Sequence, residues 1–314
     1  MQEKITTLAY TKVVIFLRVS YVERMVKMKI GFIGIGVMGH SMVSHLMNAG
    51  NEAYVYNRTK SKANRIVEQG AIWKDTPQAV AESADVVFSI VGYPKDVEEI
   101  YYGENGIFSA DVKGKILVDM TTSTPSLAEK IAKTALEKEA QALDAPVSGG
   151  DLGAKNATLT IMVGGGKAAY EKVLPLFQTI GKTYALHGGP GKGQHTKMAN
   201  QIMIAGTMTG MTEMLVYGEA AGLDLAKVIE TVGGGSAANW SLSNYAPRIL
   251  KKDYTPGFFV KHFIKDLKIA LNEAEKMKLD LPATKEATRL YELLAEKGYE
   301  NDGTQALIKL WWGN

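Results

Sequence analysis

Three stretches of the chain carry residue types at spacings that could do chemistry. Gly34-Ile35-Gly36-Val37-Met38-Gly39 is a G-x-G-x-x-G run. In such a run the first glycine permits a tight turn, the second lets the backbone approach a pyrophosphate, and the third lets helix and strand pack closely. A helix beginning there adds amides and a positive dipole end for phosphates. The second stretch, Asp144-Ala145-Pro146-Val147-Ser148-Gly149-Gly150, ends in a hydroxyl and two glycines. Consecutive glycines can expose a nest of N–H groups that seats a carboxylate, and Ser148 adds a donor; an ordinary glycine-rich turn is the alternative. In the third, Lys197 has Asn200 at i+3 and Gln201 at i+4, so two amides flank it on one helix face. A lysine close to a nicotinamide could protonate the oxygen that hydride transfer makes anionic, or bind it electrostatically. The plain alternative is a solvated helix lysine.

The elements that must position these residues follow in order. Lys29–Ile33 is a β-rich run directly before the glycines, a helix extends to Asn48, and Ala53–Tyr56 is a second strand. That context turns a weak glycine signature into a strong one. The second strand ends in Asn57-Arg58-Thr59, where an NAD site usually places Asp or Glu roughly 20 residues past the glycines. No carboxylate there repels a 2′-phosphate, and Arg58 can pair with it through two charge-assisted hydrogen bonds. NADP(H) is therefore expected as the preferred cofactor, with NAD(H) as the tolerated alternative.

The alternation continues through strands at 85–91, 115–119, 141–145, 158–163 and 183–187, with helices at 94–102, 125–140 and 167–178. It predicts an α/β fold with an N-terminal Rossmann-type, doubly wound parallel sheet. Ligands of such sheets sit outside the carboxyl ends of strands, which singles out Val91-Gly92, 120–123 and 144–150. After the turn cluster at 188–193 the pattern changes. Residues 194–221 read as one long helix, and no convincing strand follows. The expected division is an extension over 1–28, a dinucleotide domain over 29–192 and an all-helical substrate and oligomerisation domain over 193–314.

Composition narrows the function classes. The 314 residues include no cysteine, which removes disulfides, thiolate zinc sites and cysteine nucleophiles. A formal net charge of +3 is too small and scattered for a nucleic-acid partner. No apolar run approaches the ~18 residues of a membrane span. Lys4, Lys12, Arg18, Arg24 and Lys27 against Glu3 and Glu23 put the whole basic balance in the leader. Its apolar patch is too short for a secretory segment, so the cytoplasm is the expected compartment, with a mitochondrial transit peptide in 1–28 as the alternative. The five histidines show no metal-ligand spacing, and no G-x-S-x-G elbow or P-loop occurs; no metal is expected.

Together these pieces resemble the β-hydroxyacid dehydrogenase family, which includes 3-hydroxyisobutyrate dehydrogenase, tartronate semialdehyde reductase and the glyoxylate/succinic semialdehyde reductases. The resemblance runs from about Met28 to the C-terminus. It rests on Ile30–Gly39 as cofactor turn, Asp144–Gly150 as substrate segment, Gly191–Asn200 as catalytic segment and Phe263-Ile264-Lys265-Asp266-Leu267 in the helical part. It implies that Ser148, Gly149 and Gly150 hold the substrate carboxylate and that Lys197 serves the reacting oxygen. Asn200 would orient Lys197 or the substrate; Gln201 stands where some members carry asparagine. Thr122 would contact the nicotinamide half, Lys265 would close over it, Asp266 would join that network, and Trp240 would wall the pocket. Asn57-Arg58-Thr59 is like the NADP-using reductases. The implied activity is reversible interconversion of a small 3-hydroxy acid and its semialdehyde or keto form, in a homodimer or homotetramer. An imine reductase of similar architecture and a non-catalytic NADP(H)-binding module are the alternatives. A 6-phosphogluconate dehydrogenase needs a longer helical portion.

Overall fold

The computed structural model describes residues 27–313; the expectations for the leader fall almost wholly outside them. Nine strands form one sheet: β1 (Lys29–Ile33), β2 (Glu52–Tyr56), β3 (Ile72–Trp73), β4 (Val86–Ser89), β5 (Ile116–Asp119), β6 (Gln141–Asp144), β7 (Val147–Ser148), β8 (Leu159–Gly165) and β9 (Gly181–Leu186). Their order is β3-β2-β1-β4-β5-β6-β8-β7, with β9 on β8. The first six are parallel, and the chain reverses direction across the sheet between β1 and β4.

Both faces of this sheet are buried, which explains why its strands read as nearly unbroken apolar runs. Ile30, Phe32, Val86, Phe88 and Val118 pack on one face with Phe177. Ile33, Val87 and Leu117 pack on the other with Tyr101 and Ile131. The period-2 alternation of side chains along each strand assigns them so. Proline at the first turn starts the helices Pro94–Tyr102 and Pro125–Glu137, and Thr124 caps the second by accepting from Leu127 N–H.

The expected doubly wound, mostly parallel sheet is present, with one departure at its far edge. The sheet is not parallel throughout: β8 runs antiparallel to both β6 and β7. A parallel return requires a crossover of about a dozen residues or more. Between β6 and β8 the chain spends its length on two-residue β7 and the six-residue helix Gly150–Lys155, and so doubles back. The short elements β3, β7, Asn64–Glu68, Pro77–Ser83 and Gly150–Lys155 were not expected from pattern. Of these, Thr76-Pro77 carried a usable signal, because Thr76 caps Ala79 N–H ahead of a first-turn proline.

Beyond β9 the described residues are helical. The helix Lys192–Ala220 has 29 residues, so it is about 43 Å long at 1.5 Å per residue. It is flanked by Trp240–Leu250, Val260–Lys276 and Pro282–Leu294 around a core containing Met208, Leu215, Ile249, Phe263, Leu267 and Tyr291. Phe263 meets Tyr291 edge-on with ring centroids 4.9 Å apart. Leu310 and Trp312 of the tail dock against this core, while Trp311 remains exposed.

Candidate active site

The glycine turn is built as its spacing requires. Gly34 has φ +104°, and a Cβ there would lie 2.0 Å from the Ile90 carbonyl oxygen. A Cβ at Gly39 would lie 2.0 Å from Gly34 O, so only glycine lets the helix Val37–Asn48 approach the turn. Gly36 instead faces open space. It caps that helix with no side-chain hydrogen bond, leaving first-turn amides for a ligand. A turn closed at two glycines and open at the third fits a dinucleotide pyrophosphate. Ile35 is buried, whereas Val37 is exposed beside it; Met38 packs partly into the core.

Asn57, Arg58 and Thr59 lie past β2. Asn57 Oδ1 accepts the Ile35 N–H at 2.9 Å, and its Nδ2 donates to Thr59 O at 2.8 Å. Asn57 thus buttresses the glycine turn. Arg58 is 77% exposed and pairs with Asp96 at 3.1 Å. Past β4, Val91 N–H donates to Thr121 Oγ1 at 3.0 Å, which ties Val91-Gly92 to the loop after β5.

That loop is anchored from below and from the side. Asp119 is buried at the end of β5, accepting from Ser89 Oγ at 2.9 Å and Thr121 N–H at 3.2 Å. Burial pushes its carboxyl up to about 6, against the pull of the Thr121 and Ser89 hydrogen bonds. Gln194, fully buried, donates to Thr121 O at 2.7 Å and accepts from Ser123 N–H at 3.0 Å. Asp144 accepts the N–H groups of Gly191 and Gln194, each at 2.8 Å. Burial raises its carboxyl too, opposed by those same amides. Asp144 and Gln194 therefore bolt the start of the lysine-bearing helix to the ends of β6 and β5. Neither was singled out as a site residue. Gln194 sits three positions before Lys197 and Asp144 heads the Ser148 segment, so both stood in view without a motif to mark their role.

Lys197 is one turn further along. It is 6% exposed, and desolvation lowers its ammonium from 10.5 to about 8, against the opposing charge of Asp266 and with the help of Lys265. The two amides bond each other and reach Asp266. Asn200 Nδ2 donates to Gln201 Oε1 at 2.7 Å, and Gln201 Nε2 donates to Asp266 Oδ2 at 2.7 Å. Lys265 Nζ donates to Thr122 O at 2.7 Å and so spans from the helical part to the β5 loop. It also lies 3.0 Å from Asp266 Oδ1, but off the hydrogen-bonding angle, so that buried oxygen has no hydrogen-bond donor.

Ser148 is half-buried at the end of β7. Gly149 and Gly150 follow at φ +125° and +62°, and a Cβ on Gly150 would press to 3.0 Å from Gly257 O. Trp240 is 56% exposed and packs edge-on to Tyr245. It connects towards Gly150 through Tyr245, whose hydroxyl would lie 3.8 Å from a Cβ on Gly257, the residue set against Gly150. The neighbour of Trp240, Ser241, bonds Thr207, ten residues or about 15 Å along the long helix from Lys197. Among the described residues no group of three or more His, Asp or Glu could hold a metal ion, and no helix is long and apolar enough to cross a membrane.

A dinucleotide turn at a topological switch point, with a buried lysine on a helix bolted to the neighbouring strand ends, fits an NAD(P)-dependent oxidoreductase. Comparison with known proteins agrees. Residues 29–189 match the family model for the NAD-binding domain of 6-phosphogluconate dehydrogenase. Residues 191–311 match the model described as the NAD-binding domain of NADP-dependent 3-hydroxyisobutyrate dehydrogenase. An uncharacterised oxidoreductase of Bacillus subtilis is 54% identical, covering 91% of this chain and 99% of its own. A protein of Arabidopsis thaliana named a mitochondrial 3-hydroxyisobutyrate dehydrogenase-like protein is 50% identical over 89% of this chain and 84% of its own. The 2-hydroxy-3-oxopropionate reductase of Escherichia coli is 38% identical, covering 90% and 96%. In fold, the 3-hydroxyisobutyrate dehydrogenase of Mycobacterium tuberculosis superposes with a TM-score of 0.85 at 24% identity, covering 92% of this chain and all of that one. The chain belongs to the β-hydroxyacid dehydrogenase family of 3-hydroxyisobutyrate dehydrogenase-like oxidoreductases.

Proposed function

We propose that this protein interconverts a small 3-hydroxy acid and its semialdehyde with NADP(H) preferred over NAD(H). One observation carries the reading: Lys197 is buried with an ammonium near 8, and its surrounding network reaches the β5 loop through Lys265 and Thr122. A reduced nicotinamide, when bound, supplies the hydride. The chain's residues do the rest. Ser148 and the amides of Gly149 and Gly150 hold the substrate carboxylate, so that the carbonyl faces Lys197. As the carbonyl carbon accepts hydride, the Lys197 ammonium gives its proton to the oxygen, yielding the hydroxy acid and a neutral amine that regains a proton from water. In the reverse direction the neutral amine takes the hydroxyl proton. Asn200 and Gln201 hold the lysine's face of the helix against Asp266, and Lys265 closes the β5 loop beside it. The substrate's required carboxylate gives selectivity, because losing a paired charge costs more than losing a methylene.

At the other end of the crevice Arg58 takes the 2′-phosphate, the basis for preferring NADP(H). We assign the division at residues 192/193 to a cofactor part and a helical part that also joins subunits. The outer face of the long helix supports this: Met203 and Tyr217 are 66% and 74% exposed, and the helix Leu225–Gly233 buries none of its residues. The test is oxidation of NADPH and NADH side by side with glyoxylate, succinic semialdehyde, tartronate semialdehyde and methylmalonate semialdehyde. Turnover of tartronate or methylmalonate semialdehyde, whose products are 3-hydroxy acids, is expected, faster with NADPH. Turnover of glyoxylate or succinic semialdehyde alone, giving a 2- or a 4-hydroxy acid, would overturn the substrate class. Tight NADPH binding without turnover of any would overturn the reading.

A further inference from the structure

The Arg58–Asp96 pair lies where the cofactor must pass. β2 and β4 flank β1 on opposite sides. Arg58 follows β2, and Asp96 sits in the first turn of the helix after β4, so their bridge crosses the carboxyl end of β1 at the glycine turn. The two partners are unequally held. The Asp96 side chain is 14% exposed, and its Oδ2 accepts the Tyr93 N–H at 3.1 Å. Its free oxygen, Oδ1, accepts from Arg58 Nη1 at 3.1 Å. Arg58 is 77% exposed, on a long and otherwise unheld side chain.

We propose that Asp96 is a cofactor-selectivity residue: its fixed carboxylate competes with the adenosine 2′-phosphate for Arg58 and so moderates the preference for NADP(H). The proposal rests on the reading of Arg58 as phosphate partner. An NADP(H) phosphate must draw the guanidinium from Asp96 or share it, so it gains less from Arg58 than it would from an unpaired arginine. NAD(H) brings no group that needs Arg58. The acid absent from the end of β2 is thus supplied from the other side of the crevice, already neutralised by the arginine that would otherwise serve the phosphate alone.

The experiment is a fluorescence titration of the full chain with NADPH and with NADH, for the parent, Asp96→Asn, Arg58→Ala and the double variant. Asparagine keeps an oxygen for the Tyr93 N–H and removes only the charge; a thermal melt of each variant reports on its fold. Asp96→Asn should tighten NADPH about three- to fivefold, the scale of an exposed ion pair, while NADH moves less than twofold. In the Arg58→Ala background the gain should vanish. An equal change for both nucleotides, no gain for NADPH, or the same gain without Arg58 would overturn the role of Asp96 while leaving Arg58 in place. A parent with no NADPH preference for Arg58→Ala to remove would overturn the assignment of Arg58 itself, and the proposal with it.

Discussion

Arg58 and Lys197 are the two cations that the proposed function sets at the adenosine and reacting ends of the cofactor, and they are built in opposite ways. Arg58 is largely in water, on a loop, with one partner 38 residues away. Lys197 is buried in a helix whose first turn is bolted to two strands by Asp144 and Gln194. Water screens the first charge, so it discriminates between ligands by modest factors and contributes little to the fold. Desolvation brings the second close to neutral pH, where a lysine can both give and take a proton. On the proposed function, the difference teaches that exposure, not residue type, separates a group that selects a ligand from one that does chemistry.

The sharpest way to break this comparison is Lys197→Ala. Turnover should fall by about a thousandfold or more, the scale of losing a proton donor together with its charge, while NADPH affinity stays within twofold. Retained turnover with intact binding removes the lysine from the chemistry. In the parent, reduction should decline as pH rises through about 8, where the ammonium is lost, and oxidation should climb over the same range. A reductive rate flat to pH 10 would place the proton donor elsewhere.

A smaller effect probes the buried floor of the reacting end. The Asp119 carboxyl, raised from 3.8 to about 6 chiefly by burial, favours the fold in its protonated form. That contribution is complete below about 4 and gone above about 6, so ionised Asp119 costs stability at neutral pH. Asp119→Asn should therefore gain on the parent between pH 4 and 7, by at most about 3 kcal/mol at 1.36 kcal/mol per pKa unit. Urea midpoints of the two proteins at both pH values measure it, and a constant gap would refute the assignment. The smallest effect belongs to the exposed end. Arg58→Ala should weaken NADPH about tenfold, as loss of a charge-assisted pair does, and leave the urea midpoint where it was. A shifted midpoint would show that the Arg58–Asp96 bridge holds the fold as well as the ligand.

Much of the site was legible because its requirements are local. The turn at Gly34 and Gly39 demands residues without Cβ, Pro94 and Pro125 announce helix starts, and Asn200 and Gln201 share a face with Lys197 by helical geometry alone. The two-residue strands Ile72–Trp73 and Val147–Ser148 were not legible, since a period of two cannot show itself in two residues. That Trp240 packs edge-on to Tyr245 was not legible either, because nothing local marks which way a helix-start aromatic turns.

By itself, then, the sequence determined the dinucleotide turn, the order of the longer strands and helices, the long helix and the position of its lysine along the chain. These follow from backbone freedom and hydrophobic period, which act over a few residues. Only the tertiary structure decided that β8 turns back antiparallel and that Gln194 reaches Thr121 across 73 residues. It also brought Asp266 to Gln201 across 65 residues, and set Asp96 against Arg58. The pKa of Lys197 belongs to the same class. A lysine's charge is written in the sequence, but the water removed from around it is set by what packs there.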